Sequence, residues 1–259
     1  MSFYEYNLLE GKFRQIYETS RTTLDRPRMT DQYTAEGENS ENCRQTVIVL
    51  HSGGLDSGVC LLLALERGRE VISLGIDYGQ RHNIEMNYAA NLCRKFKITR
   101  KIVRVRWDKP RRTIPRNRTL EEMRKTISPA FLPGRNALFL ILAAAECASF
   151  GAKEVWIGTN SLDYSGYPDC TAEFIESFQT MLEKAMPNCP RVVAPLQNLS
   201  KPQIAKLAIQ LGLSREETWS CYRPKRVGGY LVPCGVCDAC ILSKYAWTNA
   251  GKVKLPLSL

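Results

Sequence analysis

A short apolar segment that runs into a glycine turn constrains the fold of this 259-residue chain more than any other feature. The segment is TVIVL (46–50), and it is followed by HSGGLDSG (51–58) and VCLLLALERG (59–68). The first has the length and β-branched content of a fully buried strand, whereas the last favours a helix that stops at Gly68. A strand, a glycine turn and a helix in this order predict the first unit of a parallel α/β sheet.

The same alternation continues along the chain. Strands are predicted at 70–77, 100–107 and 153–159, and helices at 83–96, 135–150, 171–185 and 201–212. Strands that alternate with helices in this way are typical of an α/β fold with a doubly wound parallel sheet, which we place at 45–215. Residues 1–44 show weak periodicity and are predicted to be an N-terminal extension with a short helix near Tyr4–Ile16.

The glycine turn has the properties of an anion site. Gly53 and Gly54 can adopt conformations closed to other residues and let a ligand approach the backbone. The helix that begins near Asp56 offers unpaired N–H groups and the positive end of its dipole, and Ser52 and Ser57 add hydroxyl donors. The patterns GxxxxGK[ST] and GxGxxG are not matched here, which disfavours kinase-like and dinucleotide-binding functions. A glycine turn without a ligand is the alternative.

Polar residues also follow the second predicted strand, in the segment DYGQRH (77–82). The segment places a carboxylate, an amide, a guanidinium and an imidazole at the carboxyl edge of the sheet, where doubly wound folds bind ligands. Arg81 could hold a phosphate, whereas His82 is equally compatible with a structural role. His51 directly precedes the glycine turn, and its side chain could simply pack at the end of the strand.

Four of the ten cysteines follow the pattern C-x12-C-x2-C-x2-C at Cys221, Cys234, Cys237 and Cys240. Four thiolates suit a tetrahedral structural zinc ion, whose closed shell leaves no open position for catalysis. An iron–sulfur cluster and disulfides are the alternatives. We therefore expect residues 216–259 to form a small zinc-binding region at the C-terminal side of the α/β domain.

The net charge of +10 is unevenly distributed, because residues 100–126 hold 11 basic and three acidic side chains. Such a segment could attract an acidic protein surface, a polyphosphate or a nucleic acid, or it could be a solvated loop. No apolar run approaches the roughly 18 residues of a membrane span, and the N-terminus lacks the apolar core of a signal peptide. These features predict a cytoplasmic protein with no membrane partner.

The segment SGGLDS (52–57) resembles the pyrophosphate loop of the ATP-pyrophosphatase (PP-loop) superfamily. Together with DYGQRH, five segments then resemble the 7-cyano-7-deazaguanine synthase family, over roughly 46–252. The other four are LPGRN (132–136), GTNSLDYSGYPDC (158–170), LSKPQIAKLA (199–208) and TWSCY…PCGVCDAC (218–240). In the segment GTNSLDYSGYPDC, Tyr164 and Tyr167 suit stacking on a planar base, and Asp163 and Asp169 suit acceptance of hydrogen bonds from its N–H groups.

The resemblance implies a C–N ligase that converts 7-carboxy-7-deazaguanine and ammonia to the nitrile through an adenylate and an amide, using ATP and Mg²⁺. The ATP-binding residues it implies are His51, Ser52, Gly53, Gly54, Leu55, Asp56, Ser57, Gly58 and Arg135. The catalytic residues it implies are Asp56, Ser57, Arg81 and Lys201. The substrate-binding residues it implies are Asp77, Tyr78, Gln80, His82, Asp163, Tyr164, Tyr167 and Asp169. It favours zinc over iron–sulfur at the four cysteines.

Three features depart from this family. They are the N-terminal extension, Thr171-Ala172 where the family commonly has Arg-Pro, and basic residues at 108–126 and 223–232. They leave open a specialised member that joins the adenylated carboxylate to a different amine, such as one on a protein partner in a bacterial defence system. A tRNA- or DNA-binding enzyme that modifies nucleic acid is the other alternative. The sequence is also compatible with a homodimer.

Overall fold

The computed structural model describes residues 3–7, 12–17, 45–80, 84–106, 113–160 and 166–256. It divides the chain into two compact units, Met1–Glu41 and Asn42–Leu259. In the first unit, strands β1 (Phe3–Asn7) and β2 (Lys12–Tyr17) pair in antiparallel fashion. The short helix predicted near Tyr4–Ile16 is therefore wrong. The aromatic residues of both segments favour strands, and pairing between the segments satisfies the backbone.

The second unit contains a five-stranded parallel sheet. Its strands are β3 (Thr46–Leu50), β4 (Glu70–Asp77), β5 (Thr99–Arg104), β6 (Glu154–Trp156) and β7 (Arg191–Val193). Their order is β5-β4-β3-β6-β7, and each neighbouring pair is parallel. The chain thus builds from the central strand β3 to one edge and then returns to build the other. The turns after β3 and β6 diverge at the resulting switch point, which is where such sheets bind ligands.

Helices cover both faces of this sheet. Within the described residues they are α1 (Leu55–Glu66), α2 (Ile84–Lys95), α3 (Leu120–Lys125), α4 (Arg135–Phe150), α5 (Ala172–Ala185), α6 (Lys201–Gln210) and α7 (Asp238–Asn249). Val47 and Val49 pack with α1 and α6 on one face. Ile48 and Leu50 pack with α4 and α5 on the other. The alternating burial of β3 follows from the two-residue period of a strand and confirms the predicted doubly wound α/β fold.

The elements that the sequence missed are mostly short. They include the three-residue strand β7, the helix α3 and a small hairpin of β8 (Lys225–Val227) and β9 (Tyr230–Val232). Segments of three to six residues carry too little periodicity to be recognised. No helix of the described residues is long and apolar enough to cross a membrane.

Candidate active site

Residues 51–57, which we call the phosphate loop, connect β3 to α1. Gly53 has a φ of +95°, and a Cβ atom there would lie 2.1 Å from the backbone oxygen of Glu85. Only glycine fits this position, both for its conformation and for its space. No side chain of the described residues caps the start of α1 at Gly54. The first N–H groups of α1 are therefore suited to an anion, as the sequence predicted.

Two serines shape the inside of the phosphate loop. The Ser57 hydroxyl accepts a hydrogen bond from the Ser52 N–H at 3.2 Å, and the two hydroxyl oxygens are 3.1 Å apart. The Ser52 hydroxyl also accepts the Gly54 N–H at 3.3 Å. These contacts fold the loop so that its hydroxyl groups lie beside the start of α1, where they can donate to the same ligand.

Asp56 and Lys201 meet across the cleft although 145 positions separate them. The Lys201 ammonium lies 2.7 Å from Asp56 Oδ2, and Lys201 itself is buried. Lys201 is the first residue of α6, whose start is fixed by the reciprocal hydrogen bonds of Ser200 and Gln203. At Gly158 a Cβ atom would lie 2.9 Å from the backbone of Asp56. The turn after β6 therefore packs directly against the start of α1.

A cleft of about 560 Å³ opens at this switch point, within the range typical of small-molecule sites. Eleven of the residues predicted to bind ATP or substrate or to act in catalysis line it, namely His51, Ser52, Gly54, Leu55, Asp56, Ser57, Tyr78, Gln80, Arg135, Tyr167 and Lys201. Gly53 and Gly58 lie behind the wall, where Gly58 packs against the side chain of Leu213. The predictions Arg81, His82, Asp163 and Tyr164 fall outside the described residues.

Aromatic side chains also line the cleft, among them those of Tyr78, Phe139 and Tyr167. The Tyr167 ring lies 4.9 Å from that of Phe131, and the Tyr78 ring lies 5.3 Å from that of Phe139, centroid to centroid. Gln80 Oε1 accepts the Tyr78 N–H at 3.1 Å, which holds the turn after β4. This region offers flat apolar surfaces of the kind that a heterocycle stacks on.

Three predicted side chains are engaged by other protein groups. The His51 ring is buried, with Nδ1 3.0 Å from the Ser73 hydroxyl, and burial together with the charge of Arg100 lowers its pKa to about 3. Asp77 pairs with Arg106 at 3.0 Å. Asp169 is buried and accepts the backbone N–H of Asn136 at 3.1 Å, which ties it to the first turn of α4. Their roles in ligand binding stay predictions.

Glu85 is a cleft residue that the sequence analysis did not single out. It lies in the first turn of α2, and it shares the cleft wall with two other carboxylates, Asp56 and Asp238. Asp56 pairs with Lys201, and Asp238 pairs with Arg118 at 2.9 Å. Glu85 has no ion pair or hydrogen bond from its side chain to any described residue. Burial raises its pKa to about 7, although the charge of Arg135 opposes this.

The four predicted cysteines form a buried cluster that could hold a metal ion. All four sulfur atoms lie within 4.8 Å of one another, and those of Cys234 and Cys240 are 3.9 Å apart. Ligands at about 2.3 Å from a tetrahedral zinc ion are separated by about 3.8 Å, so the arrangement fits zinc. Cys221 Sγ accepts the N–H groups of Arg223 and Cys234 at 3.3 and 3.2 Å. Hydrogen bonds from the neighbouring thiols, then from the backbone, lower the pKa of Cys221.

Many side chains of the basic segment 100–126 have acidic partners. Arg106 and Arg104 pair with Asp77, and Lys101 pairs with Glu146. Further along, Arg118 reaches Asp238, and Lys125 reaches Glu121 one helical turn away. Residues 107–112 lie outside the described residues. These ion pairs lie within the chain, and a role of the segment in binding an acidic protein or a nucleic acid stays a prediction.

Comparison with known proteins identifies relatives over most of the chain. Residues 46–251 match the family model of queuosine biosynthesis protein QueC. The 7-cyano-7-deazaguanine synthase 2 of Rhodopseudomonas palustris is 54% identical over 79% of this chain and 97% of its own. The 7-cyano-7-deazaguanine synthase of Leptospira interrogans is 38% identical over 85% and 92%. The solved structure of an NMN synthetase from Francisella tularensis aligns with 83% of this chain and 89% of its own, at 15% identity and a TM-score of 0.43.

Proposed function

The chain belongs to the family described as queuosine biosynthesis protein QueC, and on that premise we propose that it uses ATP to convert 7-carboxy-7-deazaguanine and ammonia to 7-cyano-7-deazaguanine. Two relatives named for this synthase activity cover more than nine tenths of their own length in the comparison. Beyond family membership, the observation that carries the proposal is the Asp56–Lys201 contact beside the phosphate loop. The contact places a carboxylate, which can bind Mg²⁺, next to an ammonium group, which can stabilise the charge on a phosphate.

The chemistry explains why ATP is required. A carboxylate is a poor electrophile, because its charge repels nucleophiles and its oxygen is a poor leaving group. Transfer of AMP to that oxygen, with loss of pyrophosphate, creates a good leaving group, and ammonia then displaces AMP to give the amide. A second adenylation, on the amide oxygen, again releases pyrophosphate, and loss of AMP and of both amide protons then yields the nitrile. Positioning and charge stabilisation are the tasks left to the protein.

The phosphate loop is suited to hold the pyrophosphate. Ser52, Gly54 and Ser57 present hydroxyl and backbone N–H donors at the positive end of α1. Arg135, on the same cleft, is a candidate clamp for a phosphate oxygen. The predicted Arg81 would serve the same purpose.

Asp56 and Lys201 are proposed to handle the α-phosphate. Mg²⁺ prefers carboxylate and phosphate oxygens, so Asp56 is the candidate protein ligand for the magnesium ion that accompanies ATP. Lys201, held beside it, is placed to steady the negative charge that develops as pyrophosphate departs. The pair keeps both groups in position before ATP binds.

Glu85 is proposed to accept protons. Attack by ammonia releases one proton from nitrogen and formation of the nitrile releases two, and these protons need an acceptor in the cleft. Glu85 is the cleft carboxylate without an ion pair among the described residues, and its pKa of about 7 suits proton transfer near neutral pH. The aromatic region around Tyr78 and Tyr167 is proposed to hold the deazaguanine ring.

Zinc is proposed to have a structural role. Cys221, Cys234, Cys237 and Cys240 would occupy all four positions of a tetrahedral ion, so no position remains for a substrate. Cys221 and Tyr222 also line the cleft. The metal centre thereby holds one wall of the cleft in place.

The proposal is tested by incubating the full chain with ATP, Mg²⁺, 7-carboxy-7-deazaguanine and ammonia, followed by mass spectrometry. We expect the nitrile together with AMP and pyrophosphate. The isosteric variant Asp56→Asn should release no AMP while keeping the zinc content of the parent chain. Accumulation of adenylate or amide without nitrile would favour a different physiological amine. Absence of ATP cleavage with this base would overturn the proposal.

A further inference from the structure

We propose that Arg100 is a positioning residue for the phosphate loop, which it holds by a backbone carbonyl and supports with a positive charge behind the anion site. Sequence alone places Arg100 in a run of surface charges. The inference rests on the proposed function only in taking the ligand of the loop to be the phosphates of ATP.

The contacts of Arg100 lead to the first residue of the loop. Arg100 lies opposite Ser73 in the pairing of β5 with β4. Its guanidinium donates to the Ser73 hydroxyl at 2.8 Å and to the backbone oxygen of His51 at 3.2 Å. The same group lies 3.6 Å from the sulfur of Met86 on α2. Because His51 and Met86 both line the cleft, the guanidinium lies directly behind the cleft wall.

Gly75 makes this path possible. A Cβ atom on Gly75 would lie 2.5 Å from the Arg100 Nη2 and 3.1 Å from Cζ. Any larger residue at position 75 would therefore displace the guanidinium from the space between the sheet and α2. Unlike Gly53, Gly75 does not have a positive φ, so space rather than backbone conformation accounts for glycine here.

The hydrogen bonds of Arg100 also reach the ring of His51. Ser73 Oγ accepts from the Arg100 guanidinium and lies 3.0 Å from His51 Nδ1. The backbone and the ring of His51 are thus held by the same cluster, which fixes where the phosphate loop begins.

Arg100 forms no ion pair with a carboxylate of the described residues, and the one acidic group that it hydrogen-bonds to is the weakly acidic Cys93 thiol. Its neighbours on the same strand and just beyond, Lys101, Arg104 and Arg106, each pair with a carboxylate. Arg100 is instead half-buried, and its Nε is shielded from solvent without a hydrogen bond to any described residue. Keeping an unpaired charge away from water is costly, and a phosphate bound to the adjacent loop would compensate it.

The test compares Arg100→Gln with Lys101→Gln, which removes the same charge from the next residue of the strand. Binding of α,β-methylene-ATP and of inorganic pyrophosphate is measured by calorimetry, and KM for the deazaguanine carboxylate by kinetics. We expect Arg100→Gln to weaken both phosphate ligands by about tenfold or more and to change that KM by less than about twofold. Lys101→Gln should leave all three values near those of the parent chain.

Two outcomes would overturn the inference. One is a folded, zinc-containing Arg100→Gln protein that binds both phosphate ligands as the parent does. The other is an equal loss of affinity for phosphate ligands and for the carboxylate, which indicates a general disturbance of the fold. If Arg100→Gln does not fold, Arg100→Lys decides, because it keeps the charge and should retain pyrophosphate binding within about threefold. A larger loss in that variant contradicts the role of the charge. A parent chain that does not bind the ATP analogue would instead overturn the proposed function.

Discussion

The cysteine cluster and the cleft differ in how many of their ligand-binding groups the protein itself satisfies. Four sulfur atoms within 4.8 Å of one another would satisfy a zinc ion with no outside ligand. The cleft instead presents uncapped helix N–H groups, a charged pair at Asp56 and Lys201 and a carboxylate at Glu85. A closed site contributes to the stability of the fold, whereas an open one keeps its donors for a ligand. Substitutions in the two regions should therefore affect different measurements.

The largest effect is expected from Cys237→Ser. Loss of one ligand opens the zinc shell, and structural zinc contributes about 10–16 kcal/mol of binding coupled to folding. We expect zinc to be lost and residues 216–259 to unfold, as measured by metal analysis and thermal unfolding. The matched control is Cys189→Ser, since Cys189 lies outside the cluster and its sulfur is 3.6 Å from Gln179 Nε2. A Cys237→Ser protein that has lost zinc but unfolds at the same temperature as the parent would contradict the structural role of the cysteine cluster.

A smaller effect, confined to turnover, is expected from Lys201→Met. Removal of the cation beside Asp56 should lower kcat/KM by about 10²- to 10³-fold, the usual effect of losing one preorganised charge or donor. Zinc content and unfolding temperature should stay close to those of the parent. Lys206→Met is the control on the same helix, because its amine binds the Val253 carbonyl away from the cleft. Equal losses of activity in both variants would argue against a role for the Asp56–Lys201 pair.

The two regions also differ in how far the sequence predicts them. The cysteine pattern lies within 20 residues, so local spacing alone predicts the ligands. Strand β4 and helix α4 likewise match their predictions to the residue, because their patterns are long and strongly periodic. The Asp56–Lys201 contact joins two residues that were predicted separately, and only the topology of the sheet brings them together.

Arg100 and Glu85 show what sequence reasoning missed in the cleft. Arg100 belongs to a run of charges, and such runs are usually exposed. Its path behind the phosphate loop depends on the missing side chain of Gly75, which is on another strand. Glu85 has an ordinary position in the first turn of a helix, and its environment comes from the cleft that surrounds it. In both cases the deciding contacts are distant in sequence.

A pH effect on stability is expected from Glu85. Its pKa is raised from 4.5 to about 7 in the folded chain, so between these values the folded state binds more protons than the unfolded state. This contribution to stability is complete below pH 4.5 and is lost as pH rises through 7. Glu85→Gln should remove that decline in stability with pH. At this chain length, each kcal/mol of stability difference between variant and parent corresponds to roughly 2–4 °C in Tm. Parallel Tm–pH curves for the ligand-free proteins would contradict it.

The smallest effect on stability is expected from Arg106→Gln, and its dependence on pH is opposite to that of Glu85→Gln. Burial raises the pKa of Asp77, but the hydrogen bonds from Arg106 and Gly79 and the charges of Arg106 and Arg104 outweigh it, so the pKa lies below its usual value. This contribution is present above the unfolded pKa of about 3.9 and is lost as pH falls through the lower folded value. Arg106 is 61% exposed, so solvent screening limits the loss on substitution to less than about 1 kcal/mol at pH 7.

The two carboxylates thus respond to pH in opposite directions. Asp77 has a cation within 3.0 Å and gains stability when it is charged, whereas Glu85 has none at that distance among the described residues and loses stability when it is charged. Arg106→Gln should lower Tm at pH 7 and match the parent once Asp77 is protonated in both proteins. The difference between Glu85→Gln and the parent should develop between pH 4.5 and about 7 and stay constant above that. Because ligand binding raises Tm of every variant that binds it, the quantity to compare is the difference from the parent at each pH. Adding ATP and Mg²⁺ should change that difference for Glu85→Gln, which lies in the cleft, and leave it unchanged for Arg106→Gln.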